Sequence, residues 1–112
     1  MKKIEAIIRL SRFEKVRNAL AEIGILFFTM TEVKGFGLQK GEHLTYRGSS
    51  FDADYIPRLQ LEIVCMPEQV DKIVATIISS AQTGEVGDGK IIIVDVEKII
   101  RIRTSETGAD AL

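Results

Sequence analysis

The chain has 112 residues, 46% of them apolar and 28% charged, with a formal net charge of -1 at pH 7. That length and composition provide for a single domain, residues 1–112, around one core, and the near-neutral charge offers nucleic acid no basic field. One cysteine, Cys65, excludes an internal disulfide and suits a reducing, cytoplasmic setting. No apolar run is long enough to span a membrane, and charge interrupts Met1 to Arg9 too early for a signal peptide.

Ile4 to Leu10 reads as the first strand, with Ile4, Ala6 and Ile8 alternating against Glu5 and Arg9. Ser11-Arg12-Phe13-Glu14 has capping-box spacing: the Ser hydroxyl can accept from the N3 amide while Glu14 reaches back to the N-cap amide. Phe13, Val16, Leu20 and Ile23 then recur at helical spacing, and Gly24 supplies the stop. Leu26 to Lys34, rich in β-formers, gives the second strand. A second unit repeats this order. Leu59 to Met66 places Leu59, Leu61, Ile63 and Cys65 on one face, and Pro67 suits a first helical position. Val70, Ile73, Val74, Ile77, Ile78 and Ala81 form a broad apolar stripe. Ile91 to Val96 is a nearly continuous apolar strand, the pattern of a sheet covered on both faces.

Two successive βαβ units predict an α+β, ferredoxin-like fold: a four-stranded antiparallel sheet with two helices on one face. The strands nevertheless carry apolar residues at both parities. Ile7 opposes Ile8, Phe27 opposes Phe28, and Ile92 and Val94 oppose Ile91 and Ile93. Two helices cover one face only, so the other is expected to be buried by self-association.

Two loops stand out. Residues 38–56 show no periodicity and interleave Leu44, Tyr46, Phe51 and Tyr55 with charge, including Arg47. Long loops in small domains are usually functional or disordered; aromatics beside arginine suit a grip on a protein partner, and a plain insertion is the alternative. His43 lies here without a second ligand at metal-binding spacing. Residues 82–90 hold Gly84, Gly87, Gly89 and Lys90 just before a strand. Glycines permit positive φ and close approach of backbone amides, which makes an anion-binding nest, and a lysine adds a point charge. Gly84-x-x-x-x-Gly89-Lys90 falls short of a Walker A loop, because Ile91 replaces the magnesium-binding Ser or Thr and a strand follows where a helix should. It reads as a phosphate loop of another design or as a plain glycine turn.

Four segments together carry a resemblance. They are Thr29-x-Thr31-Glu32-Val33-Lys34-Gly35-Phe36-Gly37-x-Gln39-Lys40-Gly41, Tyr46-Arg47-Gly48, Thr83-Gly84-x-x-Gly87-Asp88-Gly89-Lys90-Ile91 and Arg101-Ile102-Arg103-Thr104. With them the chain resembles the PII family of nitrogen-regulatory signal proteins from Met1 to about residue 107. The resemblance implies a homotrimer with nucleotide clefts between subunits. Residues 38–56 would be its target-binding T-loop. Gly87, Asp88, Gly89 and Lys90 would hold the phosphates of ATP or ADP, joined by Arg101 and Arg103 in the C-terminal segment 101–112. The i, i+2 spacing of those arginines puts both guanidiniums on one face if the segment is extended. Ile7, Gly35, Phe36, Gly37, Glu62, Ile63 and Val64 would line the adenosine pocket, with Thr29 near the adenine; a solvated strand position is the alternative for Glu62. The Gln39 side chain would ligate magnesium together with ATP and 2-oxoglutarate. Lys40 and Gly41 would offer backbone amides, and Arg58 would pair with the distal carboxylate. Tyr46, Arg47, Gly48 and Phe51 would meet the target.

Departures from the family pattern bear on function. Phe51 stands where many bacterial members carry the tyrosine that accepts a nucleotidyl group, and it lacks the acceptor oxygen; Ser49 remains as a hydroxyl for modification. Leu38 replaces a usual basic residue near the terminal phosphates, Arg58 replaces Lys, and Leu10 replaces Pro. The implied function is a cytoplasmic, non-enzymatic signal protein. It would sense ATP, ADP and 2-oxoglutarate and control an ammonium transporter, which would recruit it to the membrane, or nitrogen-assimilation enzymes. A structural trimer of the copper-tolerance type and a slow phosphohydrolase are the alternatives.

Overall fold

In the computed structural model, which describes residues 1–36 and 55–112, four strands and two helices follow in order. These are β1 (Lys2–Arg9), α1 (Phe13–Glu22), β2 (Thr29–Phe36), β3 (Tyr55–Cys65), α2 (Val70–Ala81) and β4 (Lys90–Asp95). The sheet order is β2-β3-β1-β4 with every neighbouring pair antiparallel, which is the ferredoxin-like double βαβ expected from the sequence. No helix among the described residues is long and apolar enough to cross a membrane.

Both helices lie on one face. Ile4, Ala6 and Ile8 of β1 and Leu59, Leu61, Ile63 and Cys65 of β3 are buried against Val16, Leu20, Ile73, Ile77 and Ala81. The period-2 and period-3.6 patterns therefore converge on one core. Burial also pushes the Cys65 thiol up from its ordinary pKa, away from the reactive thiolate. The helix stop at Gly24 holds: its φ is 90°, and Ile25 N donates to Leu20 O at 2.9 Å and Gly24 N to Ala21 O at 3.0 Å, a Schellman closure.

Five local expectations change. Strand β3 begins at Tyr55 rather than Leu59, so Tyr55 and Ile56 pair with Phe36 and Gly35 and do not belong to the loop expected over residues 38–56. Ser11 does not cap α1. Residues Leu10–Arg12 form a 3-10 turn that draws Ser11 inside it, so Arg12 becomes the N-cap and contributes no side-chain cap. Arg12 Nε instead donates to Ser80 O at the end of α2 (3.2 Å). The second strand starts at Thr29 rather than Leu26, because Phe28 turns into the core edge-on to Phe13, with ring centroids 6.3 Å apart, and leaves Phe27 exposed. Strand β4 is an edge strand left partly open on both faces: Ile92 and Val94 on the open face are 39% and 37% exposed, and Ile93 on the helix side is 46% exposed. Finally, the uncovered sheet face is mixed rather than apolar: Ile7, Val64, Ile92 and Val94 share it with Lys3, Glu5, Arg58, Gln60 and Glu62, as the strand register dictates.

Candidate phosphate loop and sheet face

Helix α2 ends at Ala81, and Gln82 leaves it in an extended conformation. The next residues turn on three glycines with positive φ: Gly84 (92°), Gly87 (104°) and Gly89 (105°). Side chains rarely tolerate these values, which is why the three positions are glycine. At Gly89 a second constraint applies, since a Cβ there would lie 1.7 Å from the Ile7 carbonyl oxygen. The loop thus packs its bare backbone directly onto β1.

Asp88 organises this loop. Its Oδ2 accepts the Thr83 and Gly84 amides at 2.8 and 2.9 Å, and its Oδ1 accepts the Thr83 hydroxyl at 2.5 Å and Arg9 Nε at 3.0 Å. The Thr83 hydroxyl and amide, with Arg9 and Gly84 adding, hold the Asp88 carboxyl well below the usual carboxylate range. The carboxylate is therefore committed to loop structure, and what Asp88 can offer a phosphate is backbone. Among the described residues the Gly87 amide donates no hydrogen bond, which leaves it available to an anion.

Arg9 was not singled out from sequence, although it is the clearest addition. Besides Asp88 it donates from Nη2 to Val86 O at 2.9 Å. A signal existed: Arg9 continues the open-face parity of Ile7 and pairs across the ladder with Arg58. The two guanidiniums converge on Gly87, where a Cβ would lie 3.0 Å from Arg58 Nη2 and 3.3 Å from Arg9 Nη2. Desolvation and then the Arg9 charge lower the Arg58 pKa.

The open sheet face runs on from this loop. Register sets Lys90 beside Ile7, Thr29 beside Glu62, and Gly35 beside Ile56. Val64 lies on the same face, opposite Lys3. Glu5 and Glu62 are directly opposed, and Lys3 relieves them, its Nζ lying 3.0 Å from Glu5 and 3.7 Å from Glu62. The two carboxylates, Glu5 first, raise the Lys3 pKa. Glu62 also accepts from Gln60 Nε2 at 3.2 Å, and its side chain remains 36% exposed. Phe36, at the end of β2, is 73% exposed. Ile63 is the exception in this set: its side chain is in the core, so only its backbone can face a ligand there. Gly37, Gln39, Lys40, Gly41, Tyr46, Arg47, Gly48, Ser49 and Phe51 lie outside the described residues, as do Leu38 and His43.

The C-terminal arginines depart from expectation. Residues 102–104 form a turn, not an extended segment. Arg101 N donates to Glu106 O (2.9 Å), Ser105 N donates to Arg101 O (2.8 Å), and Ser105 takes a φ of 62°. The i, i+2 argument for a shared face therefore fails. The Arg101 guanidinium is bonded to Glu106 Oε1 at 2.7 Å and to Leu112 O at 3.0 Å. Strand β4 carries the chain about 17 Å from the glycine loop before this turn begins. On the helix side, a groove of about 430 Å3 between α2 and β4 is walled by Val74, Ile77, Ile78, Ile91 and Ile93 and reaches Gln82, Asp88, Gly89 and Lys90 of the glycine loop at one end.

The family model described as nitrogen regulatory protein P-II matches residues 1–106. The nitrogen regulatory protein P-II of Pasteurella multocida is 50% identical over 112 residues, covering all of both chains. P-II 1 of Escherichia coli K12 is 54% identical over 106 residues, 95% of each chain. A crystal structure of Arabidopsis thaliana PII bound to citrate is similar with a TM-score of 0.82 and 38% identity, over 99% of this chain and 91% of that one.

Proposed function

The chain belongs to the P-II family of nitrogen regulatory proteins, and from that premise we propose that it is a trimeric sensor of ATP or ADP and 2-oxoglutarate that signals through the segment between β2 and β3. The observation that carries this is the glycine loop. Its three positive-φ glycines, its uncommitted Gly87 amide and the adjacent Lys90 form a nest that fits a phosphate. The loop opens beside a sheet face bearing Ile7, Thr29, Gly35, Glu62 and Val64, which together offer apolar contact and hydrogen-bond acceptors to a nucleoside. As the family resemblance implies, Arg101 and Arg103 would reach the same phosphates from the neighbouring subunit's side of a cleft between subunits.

Arg58 supports a carboxylate site near the loop. It is fixed in charge, half-buried and close to Gly87. A PII relative described as bound to citrate is in keeping with an anionic carboxylate ligand. Magnesium, held by Gln39 and the ATP phosphates, would supply the charge that joins 2-oxoglutarate to ATP. Ligand contacts at Gln39, Lys40 and Gly41 would alter residues 38–56 above them. Affinity for an ammonium transporter or a nitrogen-assimilation enzyme would then change by as much as the ligand discriminates between loop states. Asp88 is a poor candidate for a general base, since its hydrogen bonds hold it ionised with a depressed proton affinity. That favours sensing over phosphate hydrolysis.

Calorimetry tests the proposal. ATP and ADP are expected to bind, and 2-oxoglutarate to bind only with ATP and magnesium present. Absence of nucleotide binding, or equal 2-oxoglutarate binding with and without ATP, would overturn it.

A further inference from the structure

We propose that Arg9 is a positioning residue for the phosphate loop, fixing the loop on β1 so that its amides and Lys90 face a bound nucleotide; the ligand part of this rests on the function proposed above. Arg9 closes β1, and its side chain reaches two points of a loop more than seventy residues away. Nε donates to Asp88 Oδ1 at 3.0 Å and Nη2 donates to Val86 O at 2.9 Å. The Arg9 and Asp88 side chains are 26% and 24% exposed, so the pair is shielded enough to act as more than a surface ion pair.

The geometry divides the work. Asp88, through Thr83 and Gly84, shapes the loop internally. Those bonds survive if Arg9 is lost, but they do not attach the loop to the sheet. Arg9 supplies attachment on one flank, and the contact of Gly89 with Ile7 supplies it on the other. Between the two anchors lies Gly87, whose amide, like those of Val86, Asp88 and Gly89, donates no hydrogen bond among the described residues. A guanidinium makes both Arg9 bonds with donors that diverge in a fixed plane, whereas a lysine ammonium would have to reach both oxygens from one nitrogen on a differently shaped side chain.

Hydrogen exchange and calorimetry on the full chain, comparing wild type, Arg9→Ala and Arg9→Lys, test this. In Arg9→Ala, amides of residues 83–89 should exchange about ten- to a hundredfold faster while those of α2 keep their protection, the size expected for lost hydrogen bonds to a charged group. ATP affinity should fall about tenfold or more, and Arg9→Lys should recover part of both effects. Unchanged loop exchange, protection lost evenly over the whole chain, or faster loop exchange with unchanged ATP affinity would each overturn it. If Arg9→Ala does not fold, Arg9→Lys alone decides: loop-confined acceleration supports the role and wild-type exchange overturns it. A wild-type protein that binds no ATP would remove the proposed function, and the exchange comparison would still decide whether Arg9 anchors the loop.

Discussion

The Cβ position of Gly89 lies 1.7 Å from the carbonyl oxygen of Ile7. No rotamer change relieves that contact, because a Cβ is fixed by its own backbone and the oxygen it meets is a backbone atom. Gly89 also has a φ of 105°, which a side chain resists independently. Gly89→Ala should therefore destabilise the fold by about 3 kcal/mol or more and displace the loop from β1. Gly35→Ala is the contrast: its Cβ would meet Ile56 O at 3.6 Å, an ordinary contact, at a φ that side chains accept. Chemical denaturation of the two variants should separate them clearly.

Asp88 gives the loop a pH dependence whose sign follows from its depressed pKa. The folded pKa lies below the unfolded carboxylate value of about 3.9. The contribution to stability is complete above that value and is lost as pH falls below it, through the folded pKa. The Thr83 and Gly84 amides should accordingly stay protected at pH 5 and lose protection only in stronger acid. Amide hydrogen exchange followed by NMR from pH 5 downwards, through and below the ordinary carboxylate range, would show it. In Asp88→Asn the low-pH transition should disappear and the loop should be loosened at every pH.

Much of the core was legible because burial in this fold is periodic. Leu59, Leu61, Ile63 and Cys65 alternate along β3, and Ile73, Ile77 and Ala81 follow one face of α2. The glycine loop was legible too, since positive φ selects a residue type. What escaped were relationships that no local pattern encodes. Arg9 finds Asp88 across 79 residues, and its role depends on where β1 ends. Ser11 carried a capping sequence that the 3-10 turn at Leu10–Arg12 took over. Arg101 and Arg103 looked extended by spacing, but the backbone bonds between Arg101, Ser105 and Glu106 fold them into a turn with a non-glycine residue at positive φ.

That turn shapes the next expectation. Arg101 is already bonded to Glu106 and to the Leu112 carbonyl, so Arg101→Ala would disturb the C-terminal segment as well as any phosphate contact. Arg103 is exposed and is the cleaner probe. If it meets phosphate, Arg103→Ala should cost about 1.5–3 kcal/mol, or roughly ten- to a hundredfold in ATP affinity, with thermal stability of the nucleotide-free protein unchanged. Calorimetry paired with a melting curve checks both halves, and unchanged ATP affinity would remove Arg103 from the site.

The open sheet face carries the last expectation. Ile92 and Val94 of β4 are 39% and 37% exposed on a face that no helix covers, and Ile7 lies diagonally across the ladder from Ile92. Around them Glu5, Glu62 and Lys3 form a partnered cluster, so the surface is polar and apolar together, as an interface between folded subunits would be. Three copies would each contribute such a face and bury it against the others. Sedimentation at micromolar concentration should then give a single species of three chains. Ile92→Glu would set a third carboxylate beside Glu5 and Glu62 on that face, where like charges directly opposite repel. Burying an unpaired charge there costs several kcal/mol, enough to shift the assembly towards monomer while the helix-side core, which Ile92 does not enter, keeps each chain folded. A wild-type monomer, or an Ile92→Glu protein that sediments unchanged, would show that this face is not where the copies meet.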